Sequence, residues 1–278
     1  MYKKLIILSI ALMAGLAWTQ QEPADSSTAS TSTSHKRTSS EVLTMSSSSE
    51  KKARKLPVSA TIKAQFVPQE RIDSELYRLF GSTKKQVLVA MYWITDDIMV
   101  NKLISLKKRG IDIQIIFDES SDSSLEGNSF LINKLLSNNI LPIVYPSKVT
   151  GNLMHNKFLV IDNMIVLTGS ANFTKKAFRS PFGYSNYENI VVIDSENIAH
   201  EYHQIFSDIK EDTLKLYIAT IQKGTALPQW MQILLPKLYQ EENRLKELIS
   251  SQWETLNPRE KNNLQKFFGQ ENLATETI

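Results

Sequence analysis

The chain has 278 residues, a net charge of +3 and 42% hydrophobic side chains, enough for one large domain or two small ones. It contains no cysteine, which excludes a disulfide framework, a lipid-anchored cysteine and a cysteine-ligated zinc. Residues 60–210 carry 16 Lys plus Arg against 16 Asp plus Glu, so the middle of the chain lacks the strongly basic balance usual in nucleic-acid binders.

In chain order, Lys3-Lys4 precede an apolar run from Leu5 to Trp18, which reads residues 1–21 as a secretory signal peptide and the protein as exported, periplasmic or secreted. The run is about 14 residues, short of the roughly 20 that span a bilayer. Cleavage after Ala17 fits, with an uncleaved N-terminal anchor as the alternative. Residues 22–58 form a Ser/Thr-rich linker with too few apolar side chains to offset chain entropy, and are read as disordered. The basic run Lys51-Lys52-Ala53-Arg54-Lys55 closes it, a solvated linker or else a contact for anionic lipid or nucleic acid.

From residue 59 to 210, apolar runs alternate with amphipathic stretches. Val87–Trp93 reads as a strand, then a helix over Asp97–Lys108 with Ile98, Leu103, Ile104 and Leu106 inward. Ile111–Phe117 is a strand, Ser129–Asn138 a helix, Ile140–Val144 a strand, Tyr187–Ile193 another, and Ile198–Ile209 a covering helix. The alternation predicts an α/β fold, a mixed β-sheet sandwiched by helices. Residues 211–278 show no strand signal and form a helical extension: Asp212–Lys223, Pro228–Ser251 with Pro236 kinking or splitting it, and Pro258–Phe268.

The chemistry concentrates in HNKFLVIDNMIVLTGSANFT, which is His155-x-Lys157, four residues, Asp162, six residues, then Gly169-Ser170-x-Asn172. Phe158–Ile161 and Met164–Leu167 read as two short buried strands turned by Asp162-Asn163. Such a hairpin returns Gly169, Ser170 and Asn172 to His155 and Lys157. An imidazole can act as nucleophile or proton carrier near neutral pH. Lysine, amide and hydroxyl groups can surround phosphate oxygens, and Gly169 lets the backbone approach. The set needs no metal ligands and no cofactor.

This pattern resembles the signature of the phospholipase D superfamily, the HKD motif with its trailing Gly-Ser-x-Asn. Ala64–Pro68, Val87–Asp96 and Arg109–Asp118 are similar to the short, single-motif branch, which includes small secreted bacterial endonucleases and mitochondrial cardiolipin hydrolases, and Asn186-x-Glu188 is similar to the family's Asn-x-Glu element. The resemblance implies that His155 attacks phosphorus to form a phosphohistidine without a metal. It implies that Lys157 and Asn172, with Ser170 and Gly169, hold the phosphate oxygens, and that Glu188 accepts a hydrogen bond from the histidine ring. Asp162, in the turn, is given a structural ion-pairing role.

A second histidine must protonate the leaving group. His35 lies in the Ser/Thr tract, and His200 and His203 lack the surrounding motif, so the resemblance implies a homodimer that shares its active site. His200 and His203 stand three apart on a helix with no third metal ligand in view. Trp230, Met231, Leu234 and Leu238 read as a packed helix face.

For the substrate, Lys148, Lys175, Lys176 and Arg179 flank the motif and favour nucleic acid, while Asp118, Glu119, Asp122 and Glu126 are expected in a loop at the same sheet end and oppose it. Phe178, Phe182 and Tyr184 in the segment 176–186 suit a lipid or membrane surface, a stacked base, or packing in a dimer seam. Phospholipid hydrolysis is favoured, a secreted endonuclease is the alternative, and a non-catalytic scaffold is the third reading.

Overall fold

The computed structural model describes residues 60–123, 130–178 and 185–269. The signal peptide, the linker with His35, the basic run, Glu126, Arg179, Phe182 and Tyr184 lie outside the described residues.

The described chain opens with strand β1 (Thr61–Val67), helix α1 (Ile72–Ser82), β2 (Gln86–Met91), α2 (Asp97–Lys108) and β3 (Asp112–Asp118). Short α3 (Ser120–Ser123), α4 (Phe130–Leu136), β4 (Ile143–Tyr145) and α5 (Ser147–Thr150) lead to the motif hairpin, β5 (Lys157–Ile161) and β6 (Ile165–Gly169). Then come α6 (Lys175–Phe178), β7 (Glu188–Asp194), α7 (Glu196–Lys223), α8 (Gln229–Glu241), α9 (Asn243–Gln252) and α10 (Pro258–Phe268).

Among the described residues, seven strands form one sheet in the order β1-β7-β6-β5-β2-β3-β4. β2, β3 and β4 run parallel and all other pairings are antiparallel, so the sheet is mixed, as expected. Val87 to Met91 are buried throughout, which requires helices on both faces. α7 crosses β4, β5 and β6 on one of them, where Tyr202 meets the edge of Phe158 at 5.0 Å.

Register decides which residues share a sheet end. Met91 pairs with Lys157, Gly169 with Ile190, and Val67 with Glu188. The C-terminal ends of β1, β2, β3, β4 and β6 therefore lie beside the N-terminal ends of β5 and β7. At the opposite end, Asp162 and Asn163 both take left-handed backbone (φ 53° and 55°), and the turn is closed by Met164 N–H to the Ile161 carbonyl at 3.0 Å.

Several expectations are corrected. Ile98 faces outward, and Met99 and Val100 take its place in the core. The helices expected over 198–209 and 212–223 are one helix, α7, because nothing between them breaks it and Lys215 pairs with Glu211 one turn back at 2.9 Å. Pro236 sits inside α8 without ending it. The break falls at Glu242, whose extended backbone closes α8 and whose carboxylate caps α9 and pairs with Lys210 at 2.5 Å. α10 begins as expected, with Pro258 in its first turn and Asn257–Glu260 forming a capping box.

Candidate active site

His155 is exposed just before β5, and Lys157 is the first residue of that strand. The Lys157 Nζ donates to the His155 carbonyl at 2.9 Å and lies 3.2 and 3.4 Å from the two ring nitrogens. The Tyr92 ring backs both: its centroid is 4.5 Å from the imidazole centroid and 5.2 Å from the ammonium. Tyr92 follows β2 and its N–H bonds the Asn156 carbonyl at 2.8 Å, which ties the histidine segment to the sheet. Burial pushes the Lys157 amine below its ordinary range, and the nearby Glu188 charge offsets only part of this.

Asn172 reaches the same place from β6. Its Oδ1 accepts the Trp93 N–H at 3.1 Å, and the Phe173 carbonyl accepts from Thr95 and Asp96 at 2.9 and 3.0 Å. With its oxygen accepting that bond, the Asn172 side chain has its amide N–H groups left as donors. The hairpin thus brings His155, Lys157 and Asn172 around Tyr92-Trp93.

Two motif residues act differently from expectation. The Ser170 hydroxyl donates to Glu188 Oε2 at 2.5 Å and accepts the Asn189 N–H at 3.0 Å, so its proton is held by Glu188 and is not offered to a phosphate. At Gly169 (φ 156°) a Cβ would stand 2.1 Å from the Asn189 carbonyl oxygen. The close approach that needs glycine is made by the β7 backbone, not by a substrate.

Glu188, first in β7, accepts from Ser170 and, through Oε1, from Asn186 Nδ2 at 3.0 Å. These are its hydrogen-bond partners among the described residues; the expected bond to the His155 ring is not formed. Asp162 lies at the far end of the sheet. Its carboxylate accepts the backbone N–H groups of Lys84, Lys85 and Gln86 at 2.8, 2.7 and 2.9 Å. The expected ion pair is replaced by this backbone clamp at the start of β2. Burial works against the charged carboxylate, but the three N–H groups and the Lys85 charge outweigh it and hold its pKa below the usual value.

The surroundings also differ from the sequence reading. Asp118 and Glu119 are buried and hydrogen-bonded inward, so they do not line the cleft with negative charge. Phe178 is buried edge-on against Phe173 at 5.5 Å and forms no rim. Among the described residues, exposed apolar side chains on segments at this sheet end include Phe66 (53%), Trp93 (39%), Leu153 (55%) and Tyr187 (84%). Phe66, Glu70, Tyr187 and Glu188 border an open cavity of about 510 Å³. Lys148, Lys175 and Lys176 are exposed and make no ion pair among the described residues. His203 Nδ1 bonds Asn163 at 2.7 Å beside the hairpin turn, far from His155. Among the described residues no group of three or more His, Cys, Asp or Glu side chains is arranged to hold a metal ion.

Sequence reasoning missed Tyr92, whose strand-end position after a buried run was its only signal, and the partnership of Ser170 with Glu188, which local spacing does not reveal.

A family model described as cardiolipin synthase, PLD-like domain, matches residues 76–210. The chain is 27% identical over 139 residues to a phospholipase D of Rickettsia conorii, covering 50% of this chain and 64% of that protein. It therefore spans under two thirds of that relative's length. It is 27% identical over 159 residues to the mitochondrial cardiolipin hydrolase of Xenopus laevis, covering 56% of this chain and 70% of that one. The crystal structure of Nuc from Salmonella typhimurium, a phospholipase D family member, aligns with 25% identity and a TM-score of 0.46, over 54% of this chain and 93% of that one.

Proposed function

Because the chain belongs to the phospholipase D superfamily, we propose that it is a phosphodiesterase acting through His155, with phospholipid as its substrate. An imidazole nitrogen of His155 forms a bond to phosphorus as the bond from phosphorus to the leaving alcohol breaks. Water then attacks the phosphohistidine and restores the imidazole. Lys157 and the amide N–H groups of Asn172 stabilise the charge that builds on the phosphate oxygens. Glu188, oriented by Ser170 and Asn186, supplies the negative group that fixes the histidine once substrate is bound. The leaving alcohol takes its proton from the His155 of a second copy across a two-fold axis, and that histidine recovers a proton from the attacking water. His200 and His203 stand on α7, which starts at the far end of the sheet, and so support this reading.

The observation that carries the lipid reading is that Phe66, Trp93, Leu153 and Tyr187, all exposed, belong to segments at the sheet end that carries His155. Apolar side chains exposed at that end suit insertion among acyl chains, with Lys148, Lys175 and Lys176 meeting anionic headgroups. The same three lysines favour the second reading, an endonuclease, since they suit a phosphate backbone equally well. The protein, purified in EDTA, should cleave anionic phospholipid vesicles and leave labelled single-stranded DNA intact, with His155→Ala inactive on both. Cleavage of DNA alone would replace the lipid reading by the nuclease one. Activity surviving in His155→Ala would remove the mechanism. Export from the cell is proposed on the N-terminal sequence alone.

A further inference from the structure

The C-terminal helices reach the segment that carries His155. Trp230, buried in α8 and outside the family match, donates its indole N–H to Glu119 Oε2 at 3.1 Å. Glu119 is itself only 3% exposed, and its other oxygen accepts the backbone N–H of Lys148. Tyr217 of α7 accepts the Val144 N–H at 2.8 Å and donates to the Val144 carbonyl at 2.6 Å. From the domain side, the fully buried Asp118 accepts the Ser147 hydroxyl at 2.7 Å and the Met154 N–H at 3.1 Å. Residues 144–154, which end on His155, are thus held by two adjacent carboxylates and one phenol.

A helix that only covered the sheet would present apolar side chains and leave an apolar residue beneath it. A buried carboxylate is costly unless its oxygens are met by donors. Glu119 meets that requirement with one donor from the segment ahead of His155 and one from the helical extension. The bond is directional, so a shift of α8 is felt at Lys148.

We propose that Trp230 and Glu119 are positioning residues for His155: the helical extension sets the placement of residues 146–154 and, through them, of the imidazole. The proposal rests on the reading of His155 as the reacting group. It assigns α8 a part in the reaction that does not involve touching the substrate.

The test uses the full chain and compares Trp230→Phe, which keeps an aromatic ring and removes the N–H, with Leu264→Ala in α10, a core truncation remote from the segment. Turnover of bis(p-nitrophenyl) phosphate, thermal midpoint and amide hydrogen exchange across 146–154 are measured for each. Trp230→Phe should lower kcat about tenfold with KM within about twofold, and speed exchange at Lys148 and Met154. Leu264→Ala should lower the midpoint at least as far and leave kcat and that exchange unchanged. Glu119→Gln, which keeps one acceptor oxygen, should lose only about threefold in kcat and serves should Trp230→Phe not fold. Exchange over 146–154 at the wild-type rate in Trp230→Phe would overturn the proposal, as would a kcat that merely follows the thermal midpoint in both variants. If the wild-type protein did not turn over the probe, the phosphodiesterase reading would lose its support, while the exchange comparison would still decide whether α8 positions the segment.

Discussion

The two ends of the β5–β6 hairpin carry residues of one sequence motif under opposite physical conditions. At one end His155 stands in solvent against a lysine and the face of Tyr92. At the other, one Asp162 carboxylate gathers three backbone N–H groups. Both Asp162 and Lys157 have lowered pKa values, yet the meanings differ. For an acid the shift says that the fold favours the charge, and for a base that the fold opposes it. Asp162 therefore stabilises the protein by being charged, while at Lys157 burial works against the charge and the Glu188 carboxylate offsets only part of that. In the proposed reading the motif is half reaction equipment and half fastening.

The sharpest way to break this contrast is His155→Ala. It should lower phosphodiester turnover by about 10⁴-fold or more and move the thermal midpoint by less than about 2 °C, since the side chain is exposed. A large fall in midpoint would make His155 part of the fastening.

Gly169→Ala should do the reverse. A methyl group 2.1 Å from the Asn189 oxygen forces β6 and β7 apart, with a loss of about 3 kcal/mol in denaturant unfolding. A stability within error of wild type would show that the strands yield freely there.

Asp162→Ala should cost about 1–2 kcal/mol, because three N–H groups lose their acceptor but two of the residues that carry them are exposed and can turn to water. Turnover of the folded protein at low temperature should stay close to wild type. The pH dependence has a definite sign. The folded pKa lies below the ordinary 3.8, so this contribution is present above about pH 4 and is lost as pH falls through the folded value. Asp162→Asn should flatten that part of the acid limb in urea titrations between about pH 2 and 5. An unchanged limb would mean that other carboxylates govern acid stability.

What was legible in the chain follows from the range over which each feature is encoded. The hairpin was readable because its signals are contiguous: two apolar runs, two turn residues that tolerate left-handed backbone, and polar groups at both ends. α2 was readable to the residue because Asp96 caps it and Lys107 and Lys108 close it. β1 went unassigned because, as an edge strand, it exposes most of its length and interleaves Lys63 and Gln65 with its apolar residues. Glu119 was misplaced for a different reason. Its partner Trp230 lies 111 residues away, and no local pattern distinguishes a buried carboxylate from a loop acid. The bond from Ser170 to Glu188 was hidden in the same way, since Ser170 follows β6 and Glu188 opens β7, 18 residues apart.

Ser170 tests the contrast where it is finest, at a motif residue that sits at the reactive end and yet behaves as a fastening. Its hydroxyl bridges the Asn189 N–H and the Glu188 carboxylate, so Ser170→Ala removes one of two donors that aim Glu188 and takes nothing that a phosphate oxygen was using. The expected loss is about fivefold in kcat, the scale of one hydrogen bond to a charged group acting at second hand, with KM within about twofold. Were the hydroxyl a phosphate ligand, KM would rise and kcat would hold, because binding would weaken in the ground state and transition state alike. Ser170→Thr keeps the hydroxyl and should recover most of the rate if Glu188 is its partner. Asn186→Ala, which removes the other donor to Glu188, should then resemble Ser170→Ala, and the double variant should lose more than the sum of the two, since the carboxylate would be left without an anchor.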